Sequence, residues 1–214
     1  MRHGSIICLT LLLFLVWGSE SSVHAEDTPD TADHNSLTTQ TYEPLTGKQR
    51  WHRYLDETYV SPLQYASIAA SAAIGSASDS PPEWGHGMSG YGRRFASQFG
   101  VFTLNNTISE GMAAAMHYDP RYNMCGCASV KRRIGHAIVW SFVTRDDAGH
   151  MRPDIPNLAA AYGSNMIATY WYPSRYNPLS DGFRWGSQQV GITVGMNIVR
   201  EFTPEIKRVL HYRH

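Results

Sequence analysis

The stretch Thr58-Tyr-Val-Ser-Pro-Leu-Gln-Tyr-Ala-Ser-Ile-Ala-Ala-Ser-Ala-Ala-Ile-Gly-Ser-Ala-Ser78 decides the fold. Ser61 followed by Pro62 is a helix start, because proline at the first helical position loses no needed N–H. The alanine-rich text behind it predicts a helix to about Ala77, where Asp79-Ser80-Pro81-Pro82 stops it. Ala66–Ala70 and Ala69–Ala73 set small residues four apart on one helix face, which lets two backbones approach closely. The stretch holds no Asp, Glu, Lys or Arg. It is therefore about long enough to cross a bilayer, which takes about 20 residues. Ile155 to Ser174 poses the same question. Both are diluted with Ser, Tyr and Pro, and the chain's mean hydropathy is −0.32. The expectation is a compact or surface-associated bundle rather than a membrane span.

The same grammar of caps, prolines and glycines extends outward in both directions. Thr46 can cap a helix to about Tyr59, with Trp51, Leu55 and Tyr59 along one face. Further helices are predicted from about Tyr91 to His117, Val130 to about Thr144, Asn157 to Tyr172 and Ser180 to about Phe202. A short restart at Thr203-Pro204-Glu205 runs through Leu210. Gly182–Gly186 and Gly191–Gly195 repeat the small-residue spacing, and no segment alternates with period two. The predicted class is all-α, a bundle of six to seven helices.

The ends and the composition set the context. Arg2 precedes an apolar run, Ile6 to Trp17, and Val23-His24-Ala25 fits a signal-peptidase site, so residues 1–25 read as a signal peptide. Residues 26–43 read as an acidic, disordered leader, and 44–214 as one helical domain. The expected location is the periplasm or the cell envelope. The 214 residues carry 18 Lys+Arg and 18 Asp+Glu, which excludes a polycation that wraps nucleic acid. A hydrophobic fraction of 43% excludes a wholly disordered chain, and three cysteines exclude a disulfide scaffold. The neutrality is a cancellation. Glu26 to Val60 holds seven acids and three bases, and Ser61 to His214 ten acids and fourteen bases. Such a mildly basic core suits an anionic envelope surface.

Chemistry-bearing residues are few. Gly85-His86-Gly87-Met88-Ser89-Gly90 spells G-x-G-x-x-G, but Ser80-Pro81-Pro82 ahead of it is no buried strand, so a glycine loop is expected and no nucleotide. Cys125-Gly126-Cys127 lacks zinc spacing. It reads as an oxidised loop first, and as a thiol-exchange or metal pair second. Asn106 and Glu110 share an inward face with Phe99, Phe102 and Ala113. A buried carboxylate needs a partner or a raised pKa. A structural ion pair with Arg93, Arg94, Arg184 or Arg200 is expected, and a general acid is the rival. His136 and Trp140 share a helix face, where a lone histidine is more often core than catalytic. Trp171, Tyr172, Tyr176 and Trp185, with Tyr170 and Phe183, read as a packed hairpin or, if exposed, a binding surface.

Taken as a set, several pieces carry a resemblance. They are Pro-Leu-Thr-Gly-Lys at Pro44–Lys48, Pro-Pro-Glu-Trp-Gly at Pro81–Gly85 and Tyr-Gly-Arg-Arg-Phe-Ala-Ser at Tyr91–Ser97. Asp-Pro-Arg-Tyr at Asp119–Tyr122, Trp-Tyr-Pro at Trp171–Pro173 and Arg-Glu-Phe at Arg200–Phe202 complete it. The set resembles an uncharacterised family of exported bacterial proteins and the C-terminal part of some longer envelope proteins, over most of residues 44–210. The resemblance implies export and implies no activity, so no catalytic residue is carried over. Cys125-Gly126-Cys127 is not part of it. The functional expectation is a non-enzymatic envelope protein acting through a protein or lipid surface, without cofactor, metal or nucleic acid, its oligomeric state open. An envelope-polymer hydrolase using Glu110, with His136 or Asn106 assisting, is the rival. Thiol or metal chemistry at Cys125 and Cys127 is the third class.

Overall fold

Helix caps written in the sequence set most of the architecture. The computed structural model describes residues 42–211, so the expected signal peptide and almost all of the expected leader lie outside the described residues. Helix α1 (Gly47–Leu55) opens on a capping box. The Thr46 hydroxyl accepts from the Gln49 amide, and the Gln49 side chain accepts from the Thr46 amide. A π-helical turn (Asp56–Val60) carries the chain to α2 (Pro62–Ala77), with proline in its first turn. After a 3₁₀ turn at Pro82–Trp84 comes α3 (Gly87–Ala115), the long central helix. It packs against α2 on one side and α5 (Ile155–Ala168) on the other. Helix α4 (Val130–Val139) and α5 both pack against α6 (Phe183–His211). Among the described residues the chain is thus a mainly helical bundle of six α-helices.

The small-residue faces do their expected work at one crossing. A Cβ on Gly182 would lie 2.8 Å from Met166 Cα, and one on Gly186 would lie 3.0 Å from Tyr162 Cα. Glycine lets the start of α6 close on α5 there. Gly191 and Gly195 face open space, so the second pair serves no crossing. The apolar interior is small and alanine-rich, with Ile68, Ala72, Ala113, Ala137, Ala160, Ala161 and Ala168 buried. Trp51 and Tyr59, expected on a packing face, are largely exposed.

Several boundaries differ from the sequence reading, among them the start of α3 at Gly87 rather than Tyr91 and the end of α5 at Ala168 rather than Tyr172. Helix α4 ends at Val139 rather than near Thr144. The residues after it form β2 (Val143–Asp146) and β3 (Met151–Pro153), which join β1 (Tyr118–Asp119) in a small antiparallel sheet of order β1-β2-β3. Its register pairs Asp119 with Arg145 and Thr144 with Arg152. Strands of two to four residues are too short to show a period, which is why a purely helical text was expected. Helix α5 starts at Ile155 because the Asp154 side chain accepts from the Asn157 amide at 3.1 Å. Helix α6 runs unbroken through Pro204, so no restart occurs at Thr203. There the Thr203 hydroxyl donates to the Val199 carbonyl, and Arg133 of α4 holds the outer turn through Glu205 and the face of Phe202. These tertiary contacts override the breaking tendency of one proline. Among the described residues no helix is long and apolar enough to cross a membrane, α2 and α5 included.

Candidate functional site: a polar cavity around Glu110

Four helices turn polar faces toward one point, and the sheet closes the floor. The resulting cavity has a volume of about 200 Å³. Helix α3 contributes Asn106 and Glu110, one turn apart, together with Asn105 and Ser109. Helix α1 contributes Arg53, and the π-helical turn after it contributes Glu57. Helix α6 contributes Thr193, Asn197 and Arg200, spaced as i, i+4 and i+7. The first turn of α5 adds Asp154 and Asn157, and Asp119 to Tyr122 with Trp140 and Thr144 complete the wall. Each contribution is a polar stripe at helical spacing, the pattern a solvent face would show. These stripes point inward instead.

Glu110 sits at the cavity with its side chain 13% exposed. Arg53 approaches its Oε1 at 3.6 Å, a charge contact longer than a hydrogen bond, and its Oε2 has no partner. Burial raises its pKa. The Arg53 charge offsets part of this, and Glu57 adds to the rise. The expected partner set was therefore wrong. None of Arg93, Arg94, Arg184 or Arg200 pairs with Glu110 among the described ion pairs. Arg94 is buried elsewhere, donating to the carbonyls of Ser80, Pro81 and Gly85 and to Asp79. It thereby organises the glycine loop in which Gly85 and Gly87 adopt positive φ. Asp154 at the far wall is likewise pushed up by burial, against one bond from the Asn157 amide. Two carboxyls whose pKa is raised by burial thus line one polar space.

The remaining wall is tied down. Asn106 donates to the buried Thr58 hydroxyl at 3.1 Å. Asn197 donates to Ser141 at 2.9 Å and accepts from Arg200 at 3.2 Å. Asp119 accepts from Tyr42 at 2.6 Å and from the backbone and guanidinium of Arg121. Burial works against the Asp119 charge, but these bonds outweigh it and hold its pKa low, while burial and Asp119 push Tyr42 up to about 12. Arg200 is exposed at the cavity and has no carboxylate partner among the described ion pairs.

His136 stands apart from Glu110. Its Nδ1 lies 3.0 Å from Oε1 of Glu201, and its ring lies tilted against Trp140 at 5.3 Å. Glu201 is 1% exposed and also accepts from Tyr122 at 2.7 Å and from the Cys125 amide at 3.0 Å. Burial opposes its charge, and these donors prevail and hold its pKa low. Sequence reading overlooked this junction, because Glu201 and its donors lie about 65 to 79 positions apart. Cys125 and Cys127 are bridged to each other. Among the described residues no three His, Cys, Asp or Glu side chains are grouped to hold a metal ion.

The aromatic set is mostly packed on itself. Tyr172 lies against Trp84 at 4.6 Å and Trp185 at 4.8 Å, and Tyr176 against Trp185 at 5.1 Å. Trp171 is 40% exposed, donates to Ser97 at 2.9 Å, and lines a shallow apolar hollow with Trp84, Ala96 and Gly100. No protein family, curated protein or solved structure matches the chain.

Proposed function

We propose that the protein is an exported, non-enzymatic helical protein of the bacterial cell envelope that binds a small polar component in the cavity around Glu110. The observation that carries this is the unpartnered, buried Oε2 of Glu110 in a space walled by amides, hydroxyls and carboxyls. A buried polar atom without a partner costs about 1–3 kcal/mol, which a ligand donor can recover. Several amides, hydroxyls and carboxyls with the Trp140 side chain beside them suit a hydroxyl- and amide-rich ligand the size of one sugar unit. The apolar hollow beside Trp171 supports a protein or lipid contact in this reading. Titrating the purified protein with fragments of cell-envelope polymers, followed by NMR, tests the reading. Shifts at Asn106, Asn157 and Asn197, abolished by Asn197→Leu, support it. Shifts confined to the outer surface contradict it.

A hydrolytic reading is favoured by one observation, the raised pKa of Glu110, which suits a general acid. In that reading Asn106 assists from the same wall and His136 has no part. Glu110→Gln separates the two. It leaves binding within about tenfold if the protein only binds, and removes all turnover of polymer fragments if it is an enzyme.

A further inference from the structure

The Glu201 junction lies beneath a loop whose covalent chemistry the proposed binding does not use. Between β1 and α4, Cys125 and Cys127 close a disulfide over Gly126, which adopts φ +60° and is exposed. A ring of three residues removes much less chain entropy from the unfolded state than a bridge across tens of residues. The bridge therefore adds little to global stability. Both cysteines are half-buried rather than enclosed. The Cys125 N–H donates to Glu201 at 3.0 and 3.3 Å to its two oxygens. The closed ring is thus docked on a buried carboxylate that Tyr122 and His136 also hold.

We infer that Cys125–Cys127 is a thiol–disulfide exchange site for a dithiol protein, with the closed ring as the form that Glu201 stabilises. In the reductive direction a partner thiolate attacks one ring sulfur. The S–S bond breaks, and the other cysteine leaves as a thiolate and takes a proton. The partner's second thiol then attacks its own sulfur in the mixed disulfide and releases the remaining cysteine as a thiol. Two electrons and two protons pass to the ring, and the partner ends as a disulfide. The reverse sequence closes the ring. In this inference the closed form alone fixes the Cys125 amide, so a weaker Glu201 acceptor shifts the equilibrium toward the dithiol.

Equilibrating the folded protein with graded ratios of reduced to oxidised dithiothreitol tests this, counting thiols by alkylation and mass while following helical circular dichroism. The expected result is full reduction to two thiols with the helical signal intact, and a Cys125 amide that exchanges at least about tenfold faster once reduced. Glu201→Gln moves the midpoint about tenfold toward the dithiol, since a charge-assisted acceptor becomes a neutral one. If that variant does not fold, the amide exchange rates of the unaltered protein decide alone. A bridge that resists reduction until the helices melt overturns the inference. So does an exchange rate that ignores the redox state, or a folded variant with an unmoved midpoint.

Discussion

Two buried glutamates, Glu110 at the cavity and Glu201 beneath the Cys125–Cys127 loop, respond to acid with opposite sign. Glu201 accepts from a phenol, a backbone amide and an imidazole, so its folded pKa lies below the ordinary carboxylate range. Its stabilisation is present above the unfolded pKa, roughly 4.3, and is lost as pH falls through the folded value. Glu201→Gln is expected to cost about 3 kcal/mol at pH 7, with the difference shrinking in acid, as read by urea unfolding at several pH values. Arg94 is the second residue whose geometry dictates an outcome. Its planar fork reaches three carbonyls at 2.8–3.0 Å, which a point ammonium cannot reproduce. Arg94→Lys is expected to lose about 2–4 kcal/mol in the same assay, although charge is conserved. The role of Glu110 as an inward carboxylate was legible from its spacing to Asn106. Its neighbour was not, because Arg53 lies 57 positions upstream on another helix.

At the scale of elements, the caps and prolines were readable because they act within four residues. Thr46 with Gln49, and Ser61 ahead of Pro62, set helix starts that tertiary structure did not move. The sheet was not readable, since its stability comes from pairing Tyr118–Asp119 with a segment 25 or more positions away. The Gly182–Gly186 face was visible as spacing, but so was Gly191–Gly195, and only packing tells them apart. Gly186→Ala forces a Cβ against the α5 backbone and is expected to cost about 1–3 kcal/mol. Gly191→Ala meets nothing and is expected to gain up to about 1 kcal/mol from helix propensity. Paired thermal melts of the two variants check this contrast.

Over the whole molecule, the interior is unusual in what it lacks. Its fully buried apolar side chains are mostly alanine, while Arg94, Asp119, Asn197 and Glu201 are buried beside them. The polar walls of the cavity therefore occupy space that another bundle would fill with leucine, and that space was invisible in a sequence where inward and outward polar stripes look alike. A ligand that fits the cavity binds the folded state alone, so it is expected to stabilise it by about 2.7 kcal/mol at a hundredfold excess over Kd. A thermal shift that saturates with envelope-polymer fragments is the check at this scale. The central claim, that Glu110 is held for a ligand rather than for an ion pair, has a more direct test that needs no ligand. Its raised pKa means that stability is fully present below the unfolded value near 4.3 and is lost as pH rises through the folded one. The measurement is the unfolding free energy of Glu110→Gln against the unaltered protein at pH 7 and at pH 4. The account predicts a variant more stable at pH 7, with the gain fading at pH 4. A variant less stable at pH 7, as loss of a structural pair with Arg53 demands, contradicts it.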